Sequence, residues 1–196
     1  MQKNVKQIIE DSQQRLLPIV KKYIENKSLL DVGCGNGFNS FFFNKKFGTK
    51  ITLLDVEDIR DKEVISFPFF ESSLEQLPFE QKLFDVVFLQ YVLHHLPPKI
   101  NFEEVFIELK RVGKIVIIVE EIITEKTNVQ KAKEHDSKIN KLIHPSSNNM
   151  HIYKYYSDSE LKEFFIKSKI HIVEEKILDE GRKDNGFLQK KIYIVK

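Results

Sequence analysis

Apolar positions along this chain alternate between short continuous runs and longer stretches of helical spacing. Runs at 28–33, 50–55, 83–90 and 114–119 are nearly all apolar, as strands buried on both faces of a parallel sheet should be. A further run at 64–70 contains Pro68, which cannot donate to a ladder and predicts an edge strand. Between the runs, residues 39–47 and the stripe Phe102, Val105, Phe106 and Leu109 repeat every three or four positions and predict helices. Glu103 and Glu104 open the second of these and Lys110 and Arg111 close it, matching the helix dipole.

Before the first strand, Val5, Ile8, Ile9, Leu16, Ile19, Val20, Tyr23 and Ile24 form a helical stripe over residues 4–25, with Pro18 starting a new turn or bending it. This reads as a cover on the sheet. After residue 119, Ser157-Asp158-Ser159-Glu160 is a capping box opening a helix over 160–168. Runs at 170–178 and 187–195 follow with no helix between them, so they must pair antiparallel. Strands alternating with helices predict an α/β, doubly wound, mostly parallel sheet ending in an antiparallel C-terminal hairpin.

The first strand runs into Gly33, Gly35 and Gly37. Glycines there permit positive φ and let a ligand approach the backbone. The strand–turn–helix order predicts free backbone N–H groups at the mouth of the turn. Asp55 ends the second strand, where a carboxylate can accept both hydrogen bonds of a ribose diol. An adenosine ligand fits both features.

Three segments in order then resemble one family. Leu30-Asp31-Val32-Gly33-Cys34-Gly35-Asn36-Gly37 resembles motif I of the class I S-adenosylmethionine-dependent methyltransferases. Ser72-Ser73-Leu74-Glu75-Gln76-Leu77-Pro78-Phe79 is similar to their adenine-side segment. Phe84-Asp85-Val86-Val87-Phe88 through Val92-Leu93-His94-His95 is similar to their fourth strand and its tail. The resemblance covers roughly the first 120 residues. It implies a Rossmann-like seven-stranded sheet over a single domain, 1–196, with an N-terminal helical cover at 1–25 and a substrate-covering insertion at 120–157. It implies S-adenosylmethionine as cofactor, with S-adenosylhomocysteine as product. The cofactor would be held by Asp31, Gly33, Gly35, Asn36, Asp55, Val56, Ser73, Leu74 and Gln90. Arg15, Leu16 and Leu17 are where the N-terminal cover would close. The Pro-Gly-Gly turn usual before the fifth strand is here reduced to Val112-Gly113, and Ser73 replaces the usual acid.

Methyl transfer from a sulfonium needs mainly alignment and exclusion of water, with a base only if the acceptor arrives protonated. Titratable candidates on the acceptor side are His95, Glu121, His144 and His151. The pair Glu120 and Glu121 is expected to end the fifth strand, one facing the pocket and one solvated. No metal-ligand spacing is present. Residues 127–142 predict a helix whose lysines form a solvated face, with Glu134 and Asp136 interspersed.

Lys+Arg number 31 against Asp+Glu 29, a formal net charge of +2, which does not imply a nucleic-acid partner. Gln90-Tyr91-Val92-Leu93 stands where methyltransferases of base amines commonly carry an Asn/Asp-Pro-Pro-aromatic motif, which argues against methylation of nucleic-acid amines but not against other RNA targets. A small-molecule acceptor methylated at O, N or C is the expectation. The single Cys34, the absence of a long apolar run and an N-terminus without a signal-peptide core point to a cytoplasmic protein off the membrane, as monomer or homodimer. Two other readings stand beside it: a methyltransferase-fold binding subunit without turnover, and a nicotinamide-dependent oxidoreductase, which the glycine spacing and the terminal hairpin disfavour.

Overall fold

The computed structural model describes residues 5–145, 147 and 151–196, with side chains from residue 12 onward. The expected contribution of Val5, Ile8 and Ile9 to the helical stripe lies outside the described side chains. The elements run α1 (Val5–Ile24), β1 (Ser28–Val32), α2 (Phe38–Phe47), β2 (Lys50–Asp55), β3 (Phe69–Glu71) and β4 (Phe84–Gln90). Then come α3 (Phe102–Val112), β5 (Gly113–Ile123), α4 (Val129–Ile143), β6 (Tyr156–Ser157), α5 (Asp158–Lys167), β7 (Ile172–Asp179) and β8 (Gln189–Val195). The sheet order is β3-β2-β1-β4-β5-β8-β7, with the two-residue β6 added to the end of β5. β8 runs antiparallel to both β5 and β7, while β1 to β5 pair parallel among themselves. This is the expected Rossmann-like sheet with its antiparallel ending.

Alternation along β4 divides the core into two layers. Val87 and Leu89 face the side of α3 and α5, where they join Phe102, Val105, Phe106, Leu109, Leu161 and Phe165. Val86 and Phe88 face the side of α1 and α2, with Leu16, Val20, Ile24 and Phe43. Period-2 direction of side chains on a strand forces this split. Phe88 and Phe43 meet edge to face, with ring centroids 5.1 Å apart. A phenyl group buried so is worth about 2–3 kcal/mol. Of the three consecutive phenylalanines on α2, only Phe43 is buried; Phe41 and Phe42 stay half-exposed under Lys45 and Lys46.

Of the one or two helices expected over 4–25, α1 is one, carrying an exposed Pro18. Three other expectations change. The third strand is shorter and later than 64–70. Val64 lies in a turn and plugs the space under Gly37, where an added Cβ would come within 2.5 Å of it. Pro68 cannot donate but still accepts, from Leu53 N at 2.8 Å, and the edge strand begins just after it. β5 is longer than 114–119, because β8 pairs it out to Ile122, so Glu120 and Glu121 lie within the strand. Both are buried, and neither is solvated. The capping box at Ser157 and Glu160 forms as expected. Among the described residues no helix is long and apolar enough to cross a membrane.

Candidate functional site

One cavity of about 1330 Å³ opens at the carboxyl ends of β1, β2, β4 and β5. That is where open α/β sheets take ligands. It runs from the glycine turn after β1, past Gln90 and Tyr91, to Glu121 on β5, and α4 with His144, Ser147, His151 and Tyr153 forms its outer wall.

The glycine turn is left-handed at Gly33 (φ 68°), Gly35 (φ 54°) and Gly37 (φ 77°). A Cβ at Gly33 would lie 2.6 Å from Val92 Cγ2, and one at Gly35 would lie 2.7 Å from His144 Cε1. Both positions therefore need glycine for conformation and for space. Four of the turn's N–H groups, at Gly33, Cys34, Gly35 and Gly37, are already donated, so fewer face the cavity than expected. Gly33 and Cys34 donate to Leu54 O (2.8 and 3.1 Å), Gly37 to Cys34 O (2.9 Å), and Gly35 to Asp55 Oδ2 (2.8 Å). Three of these donors lay the turn down on β2 and the fourth closes it on Cys34 O, which leaves Asn36 N outside the set. The glycines also let a ligand approach the backbone closely.

Asp55 accepts from Gly35 N and, through Oδ1, from Val56 N at 2.7 Å. Burial raises its pKa, and those backbone donors oppose the rise. Asn36, Val56, Leu74 and Gln90 all line the cavity beside it. Two residues of the expected cofactor set do not line it. The wall at the adenine side is Ser72 and Leu74, without Ser73. Asp31 lies beneath the turn, buried, accepting from Ser40 Oγ at 2.6 Å. Burial pushes its carboxyl up to about 7, against the pull of the Ser40 hydrogen bond.

From α1, Gln13 reaches the site while Leu16 and Leu17 pack into the core. Gln13 Nε2 donates to Asn39 Oδ1, and Asn39 Nδ2 donates to Gln90 Oε1 at 3.0 Å. Arg15 lines the rim and pairs with Asp179.

The four acceptor-side candidates all line the cavity but stand at different places. His144 covers Gly35, with its Nδ1 buried and without a partner. His95 Nδ1 donates to His151 O at 2.8 Å, and burial pushes its pKa down to about 4. The His151 ring packs on Tyr153 at 4.4 Å. Glu121 sits at the inner end, 3.0 Å from Lys190 Nζ, its cross-strand neighbour on β8. Burial works against its charge, but Lys190, a hydrogen bond from Asp136 and His94 outweigh it and hold the carboxyl down to about 2.

Glu120, pointing to the opposite face, accepts from His94 Nδ1 (2.6 Å), Leu93 N (2.8 Å) and Glu121 N (2.8 Å). It fastens the 3₁₀ turn Leu93–His95 to β5. Burial opposes a charged ring at His94, and Glu120 overcomes it, so the His94 pKa is raised. Tyr91, between β4 and this turn, holds φ 58°, a conformation a non-glycine residue keeps only when its surroundings impose it. Lys190 Nζ lies 4.6 Å from its ring centroid.

Sequence reasoning missed Gln13, Asp136, Tyr155 and Lys190. Asp136 could have been found: Ala132, Asp136 and Asn140 recur every four residues, the inward face of α4. Lys190 had no such signal, because its place opposite Glu121 depends on the β5–β8 register. Among the described residues no three His, Cys, Asp or Glu side chains are grouped as a metal ion would need.

Residues 30–117 match the family model described as a methyltransferase domain. The tRNA U34 carboxymethyltransferase of Nautilia profundicola is 30% identical over 113 residues, 50% of this chain; the alignment spans only 37% of that relative's length. Among solved structures, a SAM-dependent methyltransferase of Methanosarcina mazei superposes with a TM-score of 0.70 at 21% identity, over 92% of this chain and 97% of the other. The 1,6-didemethyltoxoflavin-N1-methyltransferase of Burkholderia thailandensis, solved with its substrate and S-adenosylhomocysteine, gives 0.65 at 13% identity over 95% and 76%. The geranyl diphosphate C-methyltransferase of Streptomyces coelicolor, also holding S-adenosylhomocysteine, gives 0.68 at 10% over 94% and 75%.

Proposed function

Because residues 30–117 match the methyltransferase-domain family model, we propose that this chain is a class I S-adenosylmethionine-dependent methyltransferase that transfers a methyl group from S-adenosylmethionine to an O, N or C atom of a small-molecule acceptor. The observation that carries the reading is the pairing of Asp55 with the glycine turn at the wall of a cavity that continues to a second, titratable end. The residues present fit the cofactor. Asp55 is a carboxylate at the end of β2 suited to a ribose diol, and Gly33 and Gly35 leave room that any side chain would fill. With four of its N–H groups already donated, the turn has few donors left for the pyrophosphate of a dinucleotide.

When bound, the cofactor supplies an electrophilic methyl carbon on a sulfonium. The chain's own part is to bind, orient and exclude water. Asn36, Val56 and Leu74 wall the nucleoside side, and Gln90, fixed by Asn39 and Gln13, borders the passage to the acceptor end. Asp31, buried beneath the turn, would supply negative charge toward a cofactor amino group only once ionised, above about pH 7. Helix α4 with His144, His151 and Tyr153 acts as the substrate cover, closing the cavity against water. The whole chain acts as one domain.

Calorimetric titration with S-adenosylmethionine and S-adenosylhomocysteine tests the reading. We expect saturable binding of both and none of NAD. Asp55→Ala removes charge-assisted hydrogen bonds worth about 2–3 kcal/mol together, a loss of roughly 30- to 150-fold in affinity. A folded protein that binds neither sulfur compound refutes the assignment, and binding without transfer to any acceptor leaves the binding-subunit reading in its place.

A further inference from the structure

The space over Gly35 is filled from across the cavity. Three atoms of the His144 imidazole, Cε1, Nε2 and Nδ1, stand 2.7, 3.4 and 3.5 Å from where a Gly35 side chain would begin. Gly35 is also the residue whose N–H donates to Asp55 Oδ2 at 2.8 Å. The ring therefore lies close to the carboxylate suited to a ribose, on the approach that the missing side chain opens. At Gly33 the corresponding space is closed by Val92, a core residue just after β4. His144 instead comes from the end of α4, in the outer wall.

The two ends of α4 are held very differently. Asn128 caps the first turn, accepting from Lys131 N at 3.0 Å, and its own N–H donates to Gly186 O at 2.8 Å. Ala132 packs so closely on Gly186 that a Cβ there would meet Ala132 N at 2.8 Å. Asp136 accepts from the Tyr155 hydroxyl, and Ala132 and Asp136 are the buried residues of the helix. Beyond Asp136 the hold is slight. Ile139 and Ile143 line the cavity, but among the described residues neither packs into a core cluster. Asn140 Nδ2 and His144 Nδ1, one turn apart, are buried with no hydrogen-bond partner. Past the helix end, Ser147 Oγ donates to Glu57 Oε2 at 3.0 Å and ties this segment to the chain after β2. Buried polar atoms without partners favour any arrangement that returns them to water. A helix end with few buried apolar contacts opens for the least free energy.

We propose that His144 is a gate on the cofactor end of the cavity. Its ring and S-adenosylmethionine would claim the same space over Gly35, so the cofactor enters only when the end of α4 swings outward from its anchor at Ala132 and Asp136. The proposal rests on the methyltransferase reading of the cavity, and it moves His144 from acceptor chemistry to cofactor entry. The consequence is a competition within one chain. Apparent affinity and association rate are both reduced to the fraction of molecules whose gate is open. Dissociation is unaffected, because the ring cannot return while the cofactor is in place.

The test is calorimetric and stopped-flow titration of the full chain with S-adenosylhomocysteine, for the wild type, His144→Ala and His144→Phe. Alanine removes the ring. We expect its Kd to fall and its association rate to rise by the same factor, at least about threefold, with dissociation unchanged. Phenylalanine keeps a ring over Gly35 and removes the unpartnered nitrogen, so the gate should close more firmly and both quantities should shift at least about threefold the other way. Hydrogen exchange of the wild type needs no variant: saturation with S-adenosylhomocysteine should speed exchange over residues 138–144 while slowing it over 33–37. Weaker or unchanged binding by a folded His144→Ala, or residues 138–144 better protected with ligand, would make His144 a fixed wall or a contact of the bound cofactor and overturn the gate. Binding by neither the wild type nor His144→Ala is a different result and strikes the methyltransferase reading itself.

Discussion

Asp31→Asn should stabilise this protein at alkaline pH and do so progressively less as the pH falls. The side chain is 3% exposed, and its carboxyl, ordinarily at 3.8, is pushed up to about 7 by burial. Between those two values the folded state holds a proton that the unfolded chain has lost. Stability therefore falls as pH rises through this window and levels off above about 7. The full displacement corresponds to about 4 kcal/mol, at 1.36 kcal/mol per pKa unit. Between pH 5 and pH 8 the portion lost is about 2–3 kcal/mol. Asparagine keeps an oxygen for Ser40 and carries no charge at any pH. Its unpaired amide hydrogens cost about 1–3 kcal/mol, but that cost does not vary with pH. The assay is urea denaturation of both proteins, free of ligand, at pH 5 and pH 8. The midpoint difference between variant and wild type should move in favour of the variant by about 1 M across this interval, for a slope near 2–3 kcal/mol/M. Contributions from all other titrating groups cancel in that difference. A gap between the two proteins that stays constant from pH 5 to pH 8 would show that Asp31 is ionised in the folded protein at both, and would refute the argument.

Gly33→Ala forces a side chain into φ 68° and places its Cβ 2.6 Å from Val92 Cγ2. Conformational strain and overpacking together should cost about 2–4 kcal/mol, read by thermal or urea denaturation; a loss under about 1 kcal/mol would mean that the turn re-forms another way. Glu120→Ala breaks a buried pair and strands Leu93 N and Glu121 N, for an expected loss of about 3–5 kcal/mol in denaturation experiments. With burial then opposed only by Glu121 and Asp136, the His94 pKa should fall from its raised position, which proton NMR of the ring can follow; a His94 pKa unchanged by the substitution would mean that Glu120 is not its cause.

The linear order of apolar runs determined much of this protein. Buried strands read as near-continuous Val, Ile, Leu and Phe because both faces of β1, β4 and β5 are covered, and the connection between residues 178 and 187, too short for a crossover α-helix, forces β7 and β8 to be antiparallel. Glycines 33, 35 and 37 and Asp55 were legible for the same local reason: their backbone conformation and chain position hold within one βαβ unit. The strand beginning at Phe69 and the length of β5 were less so, because strand ends are fixed by partners elsewhere in the chain. The acceptor end was decided by tertiary structure alone. Glu121 meets Lys190 only through the β5–β8 register, and Asp136 meets Glu121 and Tyr155 only because α4 folds back over the cavity. Whether a carboxylate in a sequence is solvated or holds a buried proton depends on which charges surround it, and those neighbours come from β5, β8, α4 and the 3₁₀ turn at once.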